Sequence, residues 1–386
     1  MSDSDVGIYV HVPFCERICP YCDFAVVAAR ALEERVEAQY VDALLRELAG
    51  RRGAFADRRL ASLYLGGGTP SLLRPESIGR IVRAGRDAFP GSGEITLEIN
   101  PSSVERARLP GFREAGVNRV SVGVQSFDDE TLHRLGRAHR AKDARLTLSA
   151  CREAGFEAIS IDLIVAAPRQ TQAGVERDLD AAIEFGPDHV SVYELTVEAG
   201  TPFALAEARG QLRRAGEEEA IRMHARVESR LARAGYTRYE ISNYARPGRE
   251  AVHNRRYWER RPVLGIGVSA VSNDPATLQH PFGVRRSNPR DASAWLACVA
   301  GGRAAEVEIL SAAAARAEAI FLALRTVRGL EAAPFAREFG APPRAFFAQS
   351  IDRLLAAALL SESRHGNLRL TPRGRLLADS VSEHFV

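Results

Sequence analysis

Cys15, Cys19 and Cys22 form a C-x3-C-x2-C array inside the stretch GIYVHVPFCERICPYCDF, Gly7 to Phe24. Thiolates bind soft metals, and four of them normally complete an iron-sulfur cluster, so a compact set of three leaves one iron open to an outside ligand. Zinc is the rival reading of the spacing, with His11 or a distant cysteine as fourth ligand. With three of the five cysteines clustered, no disulfide framework is expected, and thiolates that hold iron need a reducing compartment. Cys151 and Cys298 read as plain buried thiols.

The array follows a strand-like alternation of Ile8, Val10 and Val12 against Tyr9 and His11. Apolar runs predict further strands over Leu60–Leu65, Glu94–Ile99, Arg119–Val124, Ala158–Leu163 and His189–Leu195. Helices are expected over Glu33–Leu48, with Val36, Tyr40, Val41, Leu44, Leu45 and Leu48 on the inner face, and over Pro75–Phe89, Val104–Ala115 and Gly174–Phe185. Helical material also runs to Ala154. Strands alternating with helices imply parallel βαβ units. Six in succession suggest a barrel or an incomplete one, in which functional groups gather at the carboxyl ends of the strands.

Polar or glycine residues stand at five such ends. The cysteines follow the first strand, Gly66-Gly67-Gly68-Thr69-Pro70 the second, Glu98 closes the third, Gln125 follows the fourth and Asp162 lies near the end of the fifth. Each has a bland alternative: a tight turn for the glycines, a helix cap for Glu98, surface polarity for Gln125 and Arg137. The functional reading of the glycines is close approach of backbone to a ligand, with free backbone groups for it. Asp162, between apolar neighbours, must be hydrogen-bonded or face a cavity.

The chain has 386 residues, 46% hydrophobic and 26% charged, with a net charge of +3. That composition suits a soluble globular protein of one large and one smaller domain, and the small charge gives no case for nucleic acid. The acidic start MSDSDVGI resembles neither a signal nor a transit peptide, and no apolar run approaches a membrane span, so a cytoplasmic protein is expected. Lys142 is the only lysine. An arginine-rich surface suits a polyanion such as a carboxylate-bearing porphyrin, with skewed coding composition as the simpler explanation.

Glu217 to Ala234 reads as a helix turning Ile221, His224, Ala225, Val227 and Leu231 inward, its histidine structural. His253-Asn254-Arg255-Arg256-Tyr257-Trp258 follows after a Pro247-Gly248 break. Its imidazole could ligate haem iron, flanked by Tyr257 and Trp258; alternatively His253 and Asn254 form a polar network while Trp258 fills a domain junction. From Ser311 a small helical unit is expected, with helices at Ala314–Arg328 and Arg344–Leu359, a strand at Gly366–Leu370 and a last helix opened by Thr371-Pro372. It reads as winged-helix-like, a lid or partner-docking unit.

The cysteine spacing with the glycine stretch resembles the radical S-adenosylmethionine (SAM) superfamily. YVHVPFCERICPYCDF, LGGGTPS, LEINP, VGVQSFDDETLHRLGRAH and ISIDL, in this order, resemble its HemN/HemW branch, which holds the oxygen-independent coproporphyrinogen III oxidase and a haem chaperone. The resemblance implies an α/β fold, an incomplete (β/α)6 TIM-like radical SAM barrel over 1–245, a connecting segment over 246–310 with an HNxxYW motif, and the winged-helix-like domain over 311–386. It implies a [4Fe-4S] cluster on Cys15, Cys19 and Cys22, whose fourth iron is chelated by SAM. A first SAM is implied at Tyr9, Gly67 and Glu98, and a second at Tyr21, Gly68, Thr69, Gln125, Arg137 and Asp162, with Tyr21 near the adenine. His253 is the implied haem contact.

Two features resemble the chaperone more than the oxidase: Asp23 and Phe24 follow Cys22 where the oxidase has a further cysteine, and the oxidase's long leading segment is not expected here. One feature departs from the branch. Its D-L-x-Y-G-L-P pattern reads Asp162-Leu163-Ile164-Val165-Ala166-Ala167-Pro168, which puts the second SAM site in question. The implied function is a haem chaperone that passes haem to an acceptor, such as a respiratory haem protein, with an electron donor for the cluster and membrane contact only through the acceptor. The alternatives are the oxidase reaction, radical decarboxylation of two propionates, and a zinc-stabilised binding protein.

Overall fold

The computed structural model describes residues 4–29, 31–301 and 306–385. The first residues of the acidic start lie outside them. In β1 (Asp5–Val12), Val6, Ile8, Val10 and Val12 are buried in one core with Val41, Leu44 and Leu48 of α1 (Glu34–Arg51). The same pattern recurs in β2 (Arg59–Gly67), β3 (Glu94–Ile99), β4 (Arg119–Gln125), β5 (Ala158–Val165) and β6 (His189–Glu194). These six strands pair in chain order and all parallel. The crossovers carry α2 (Pro75–Ala88), α3 (Ser103–Glu114), α4 (Ala141–Glu153) and α5 (Gln172–Phe185), and α6 (Glu217–Arg233) follows β6.

Both edges are extended. Beyond β6 lie β7 (Thr237–Arg238) and β8 (Asn243–Ala245), antiparallel. On the far side of β1, β9 (Val263–Ile266) pairs parallel with it, and β10 (Val271–Asp274), β11 (Val284–Ser287) and β12 (Glu306–Ile309) continue antiparallel. The result is one 12-stranded sheet with the order β12-β11-β10-β9-β1-β2-β3-β4-β5-β6-β8-β7. Its ends do not pair, so the barrel is incomplete. The boundary expected at 245/246 falls inside this sheet, because β9 gives β1 its second neighbour.

Helix faces differ in places from simple periodicity. Val36 is exposed and Glu37 buried, because the Glu37 carboxylate accepts the Arg74 N–H at 2.8 Å and so caps α2. In α6 the buried residues are Ala220, Met223, Val227 and Leu231, which leaves Ile221 and His224 half-buried on a cavity wall rather than in the core. Cys298 is likewise only half-buried, whereas Cys151 is buried.

The C-terminal unit has its own core of Ile320, Leu324, Phe335, Ile351, Leu354 and Leu368. Helices Ala312–Leu324, Ala332–Phe339 and Pro343–Ala356 precede a hairpin of Leu360–Glu362 with Leu368–Leu370, and Thr371 caps the helix Pro372–Leu376. Glu318 joins this unit to the sheet through Arg260, at 2.8 Å, and Arg285.

The β9 segment is held to the barrel by one buried carboxylate. Glu47 of α1 accepts from the Gly267 N–H at 2.8 Å, Trp295 Nε1 at 3.0 Å and Asn288 Nδ2 at 2.7 Å. Removing it strands three buried donors, each an unmade hydrogen bond of about 1–3 kcal/mol. Glu47→Ala should therefore destabilise the fold by about 2–4 kcal/mol and Glu47→Gln, whose amide oxygen still accepts, by clearly less. Thermal melts of the two variants check this; equal losses would contradict it.

Candidate functional site

The cysteine loop and the glycine turn are built against each other. Gly68 N–H donates to Val12 O at 2.8 Å and Thr69 N–H to Phe14 O at 2.8 Å. The loop returns as a short strand pair, Phe14–Cys15 beside Val27–Ala28. A Cβ on Gly68 would stand 2.7 Å from Phe14 O and 3.0 Å from Cys15 Sγ; one on Gly67, at φ +107°, would stand 2.6 Å from the His11 ring. Glycine is required at both by close approach, and at Gly67 also by its φ. Gly67 N–H donates to Glu98 Oε2 at 3.2 Å. The amide hydrogens of Gly67, Gly68 and Thr69 are therefore taken within the fold, so the backbone groups of this turn that suit the amino end of a ligand are its carbonyl oxygens.

All three cysteines line a cavity of about 1730 Å³, and so do Tyr21, Gly67, Gly68, Thr69, Glu98, Gln125, Arg137 and Asp162. Tyr9 and His253 are not on its wall. Tyr9 bonds His11 Nδ1 at 3.1 Å, and His11 Nε2 lies 3.0 Å from Ala25 O, so both His11 nitrogens are engaged and neither is offered to a metal. Among the described residues no three His, Cys, Asp or Glu side chains close on a point that could hold a single ion. The zinc reading thus loses His11 as its fourth ligand.

Glu98 and Asp162 are among the carboxylates that face the cavity. Glu98 accepts from Tyr64 OH at 2.6 Å; burial, reinforced by the nearby Asp162 charge, pushes its carboxyl up to about 7. Asp162 accepts from Ser121 Oγ at 2.9 Å and is also raised by burial. The Cys15 thiol is pushed up to about 11 by burial, so it ionises only with help from a bound cation.

Arg137 donates from Nη1 to Cys19 Sγ at 3.4 Å and from Nη2 to Asn100 Oδ1 at 2.5 Å. Asn100 Nδ2 donates to Thr69 Oγ1 at 2.7 Å, and that hydroxyl reaches Cys15 Sγ at 3.7 Å. A polar chain thus joins two thiols through Asn100, whose only sequence signal is its place after β3 in LEINP. A second unforeseen residue is Asp178 of α5. It accepts from Phe127 N–H at 2.6 Å and Ser126 Oγ at 2.8 Å and, more weakly, from Gln170 Nε2 at 3.5 Å, tying the loops after β4 and β5 together. Next to these loops, Gln125 and Ala166 both hold positive φ, +65° and +58°. Ala166 occupies the glycine position of the D-L-x-Y-G-L-P pattern, so a left-handed turn is present there without its glycine. Asp23 Oδ1 accepts from Arg290 Nη2 at 3.1 Å, an exposed contact between the cysteine loop and the connecting segment.

His253 lies at the opposite end of the barrel. Its Nδ1 meets Ser62 Oγ at 2.9 Å, its Nε2 faces Tyr257 OH at 3.3 Å, and its ring stacks on Tyr64 with centroids 5.1 Å apart. It is 1% exposed, and burial pulls its imidazole down to about 3. Both nitrogens have partners within the fold, as in the polar-network alternative to a haem contact.

Residues 9–182 match the radical SAM superfamily and residues 310–377 the HemN C-terminal domain. The heme chaperone HemW of Lactococcus lactis is 32% identical over 388 residues, covering 100% of this chain and 98% of the relative. The chain belongs to the HemW family of radical SAM proteins. HemW of Mycobacterium tuberculosis is 35% identical, covering 99% and 95%. Coproporphyrinogen III oxidase, HemN, of Escherichia coli shares the fold, with a TM-score of 0.83 at 24% identity, covering 99% of this chain and 90% of that one. A [4Fe-4S] cluster and SAM are the cofactors of this superfamily. Three cavity-lining thiols on one loop, backed by a glycine too close to Cys15 for any side chain, fit them.

Asn100→Ala should speed iron loss to a chelator roughly tenfold, as expected for an outer-shell partner of a metal site. Gly68→Ala should lower iron and sulfide content of the folded chain. Unchanged chelation kinetics in the first variant would show that the polar chain does not support the thiols.

Proposed function

We propose that this HemW-family chain is a cytoplasmic haem chaperone that takes up haem and passes it to an acceptor protein. The observation that carries the reading is the continuity of one cavity, from the three thiols to Arg325, Arg373 and Leu376 of the C-terminal unit, in a chain similar to heme chaperones over its whole length.

Cys15, Cys19 and Cys22 hold the cluster, and when bound it supplies one open iron for the amino and carboxylate groups of SAM and an electron taken from a donor protein. Glu98, behind the glycine turn at Gly67, meets the cationic end of SAM. Burial and the nearby Asp162 charge both raise the Glu98 carboxyl, and a cation beside it relieves them. Tyr21, Gly68, Thr69, Gln125, Arg137 and Asp162 line the same cavity; Arg137 and Asp162 bring charges of both signs to this set, suited to a second zwitterionic ligand. Tyr9 acts from behind, by holding His11.

The division into 1–245, 246–310 and 311–386 follows function rather than sheet continuity, with the last unit as lid and acceptor-docking surface. Among the described residues no helix is long and apolar enough to cross a membrane, and any membrane contact comes through the acceptor.

Haem titrated into the reconstituted chain should bind stoichiometrically, read at the Soret band. The same anaerobic sample, given SAM, reductant and coproporphyrinogen, should form no protoporphyrinogen. Absence of haem binding would sink the chaperone reading, and turnover would favour the oxidase. SAM affinity should also rise, by up to roughly tenfold, from about pH 6 to about pH 8, because Glu98 loses its proton across its raised pKa and the carboxylate then attracts the cation. Glu98→Gln should bind SAM without that rise; a rise that persists would assign it to another group.

A further inference from the structure

The geometry points to His224 as the haem-iron ligand, in the arm of the cavity between α6 and the C-terminal unit. This rests on the chaperone reading above and names the place on the chain where haem sits.

The chain has nine histidines, and among the described residues His224 is the one that lines the large cavity. His253, in the motif that best suggested haem, has both nitrogens engaged at the far end of the barrel. One His224 nitrogen, Nε2, lies 2.8 Å from Glu194 Oε2 on the strand end of β6. An imidazole that donates one N–H to a carboxylate is fixed in orientation and tautomer, and its other nitrogen gains basicity toward a metal. The His224 side chain is 28% exposed, accessible to a ligand without unfolding anything.

The surrounding wall suits the rest of an iron porphyrin. Ile221 lies one turn before His224 on α6, and Leu376, 45% exposed, comes to the same cavity from the C-terminal unit. These give an apolar macrocycle two walls drawn from different units. Arg373 lines the cavity too and is exposed, with no ion pair among the described residues. A free guanidinium at the edge of an apolar slot suits a carboxylate side chain of the macrocycle. A site with one wall on the barrel and one on a separately cored unit can open to release its ligand, as handing haem to an acceptor requires.

The test uses the full chain with its cluster reconstituted, titrated with haemin and, separately, with metal-free protoporphyrin IX. His224→Ala should weaken haemin binding about tenfold or more and shift the Soret band, while leaving iron content and protoporphyrin affinity near those of the wild type. Glu194→Gln, which keeps a side chain of the same size at the strand end, should shift the haemin spectrum in the same direction by less. Overturning results are a His224→Ala chain with wild-type haemin affinity and spectrum, an equal loss for both porphyrins, or abolition of haemin binding by His253→Ala with the cluster intact. A wild-type chain that takes up no haemin overturns the functional reading itself and this assignment with it.

Discussion

The site depends on the close approach of two strand ends. β1 and β2 are parallel neighbours, so their carboxyl ends emerge side by side, and the cysteine loop must turn within reach of whatever follows β2. Glycine is what allows the contact: Gly68 N–H and Thr69 N–H bond the carbonyls of Val12 and Phe14, with no room for a Cβ between them. A loop that carries three thiols is thereby held by backbone groups rather than by side chains. That leaves all three thiols on the cavity wall. Asn100 and Arg137 add a second tie, from the ends of β3 and beyond β4, so four successive strands contribute to the surroundings of two sulfurs.

The barrel interior is polar where an ordinary core would be apolar, and the polarity has an order. Toward the cysteine end, Glu98 and Asp162 face the cavity with hydroxyl partners, Tyr64 and Ser121. At the opposite end the helix Val252–Trp258 closes the barrel: His253 N–H donates to Glu94 at the start of β3, and buried Arg256 donates to the carbonyls of Asp5 and Pro262. The stacked rings of His253, Tyr64 and Tyr9 lie between. Each buried polar group is costly unless it is bonded, and here bonding one requires the next. The HNxxYW motif thus reads as the plug of the barrel, whose first residue supports the tyrosine that holds Glu98.

Much of this was legible in the chain itself. The alternation in β1 and the apolar runs after it place six strands to within a few residues, because parallel strands covered by helices leave a strong hydrophobic signal. Strand-end chemistry was legible for the same reason: once the strands are placed, the residues that follow them must gather. What stayed hidden are side chains that act across the fold. Glu47 looks like a surface residue of α1 until β9 returns beside β1, and Asp178 like an ordinary helix acid until two loops converge on it. His224 reads as facing the core and instead lines the cavity, since helix periodicity is offset by about a residue along α6 and cannot tell a core face from a cavity wall.

The C-terminal unit is joined to the barrel by mixed contacts: Glu240 bridges Thr326, Val327 N–H donates to Tyr239 O at 3.1 Å, and Ile241 packs against its core. Its core is separate, and its ties to the sheet include Glu318 with Arg260 and Arg285, while Arg375 reaches Glu228 on α6 at 3.3 Å. Ion pairs at partly exposed positions contribute little net stability and are exchanged readily with water. The Glu228 pair borders the same arm of the cavity as His224, so widening that arm breaks a charged contact that water can satisfy, while the bridge and Ile241 keep the two units joined. A ligand held in that arm leaves past an ion pair that water can replace, whereas one buried behind Tyr64 in the barrel would have to displace the plug.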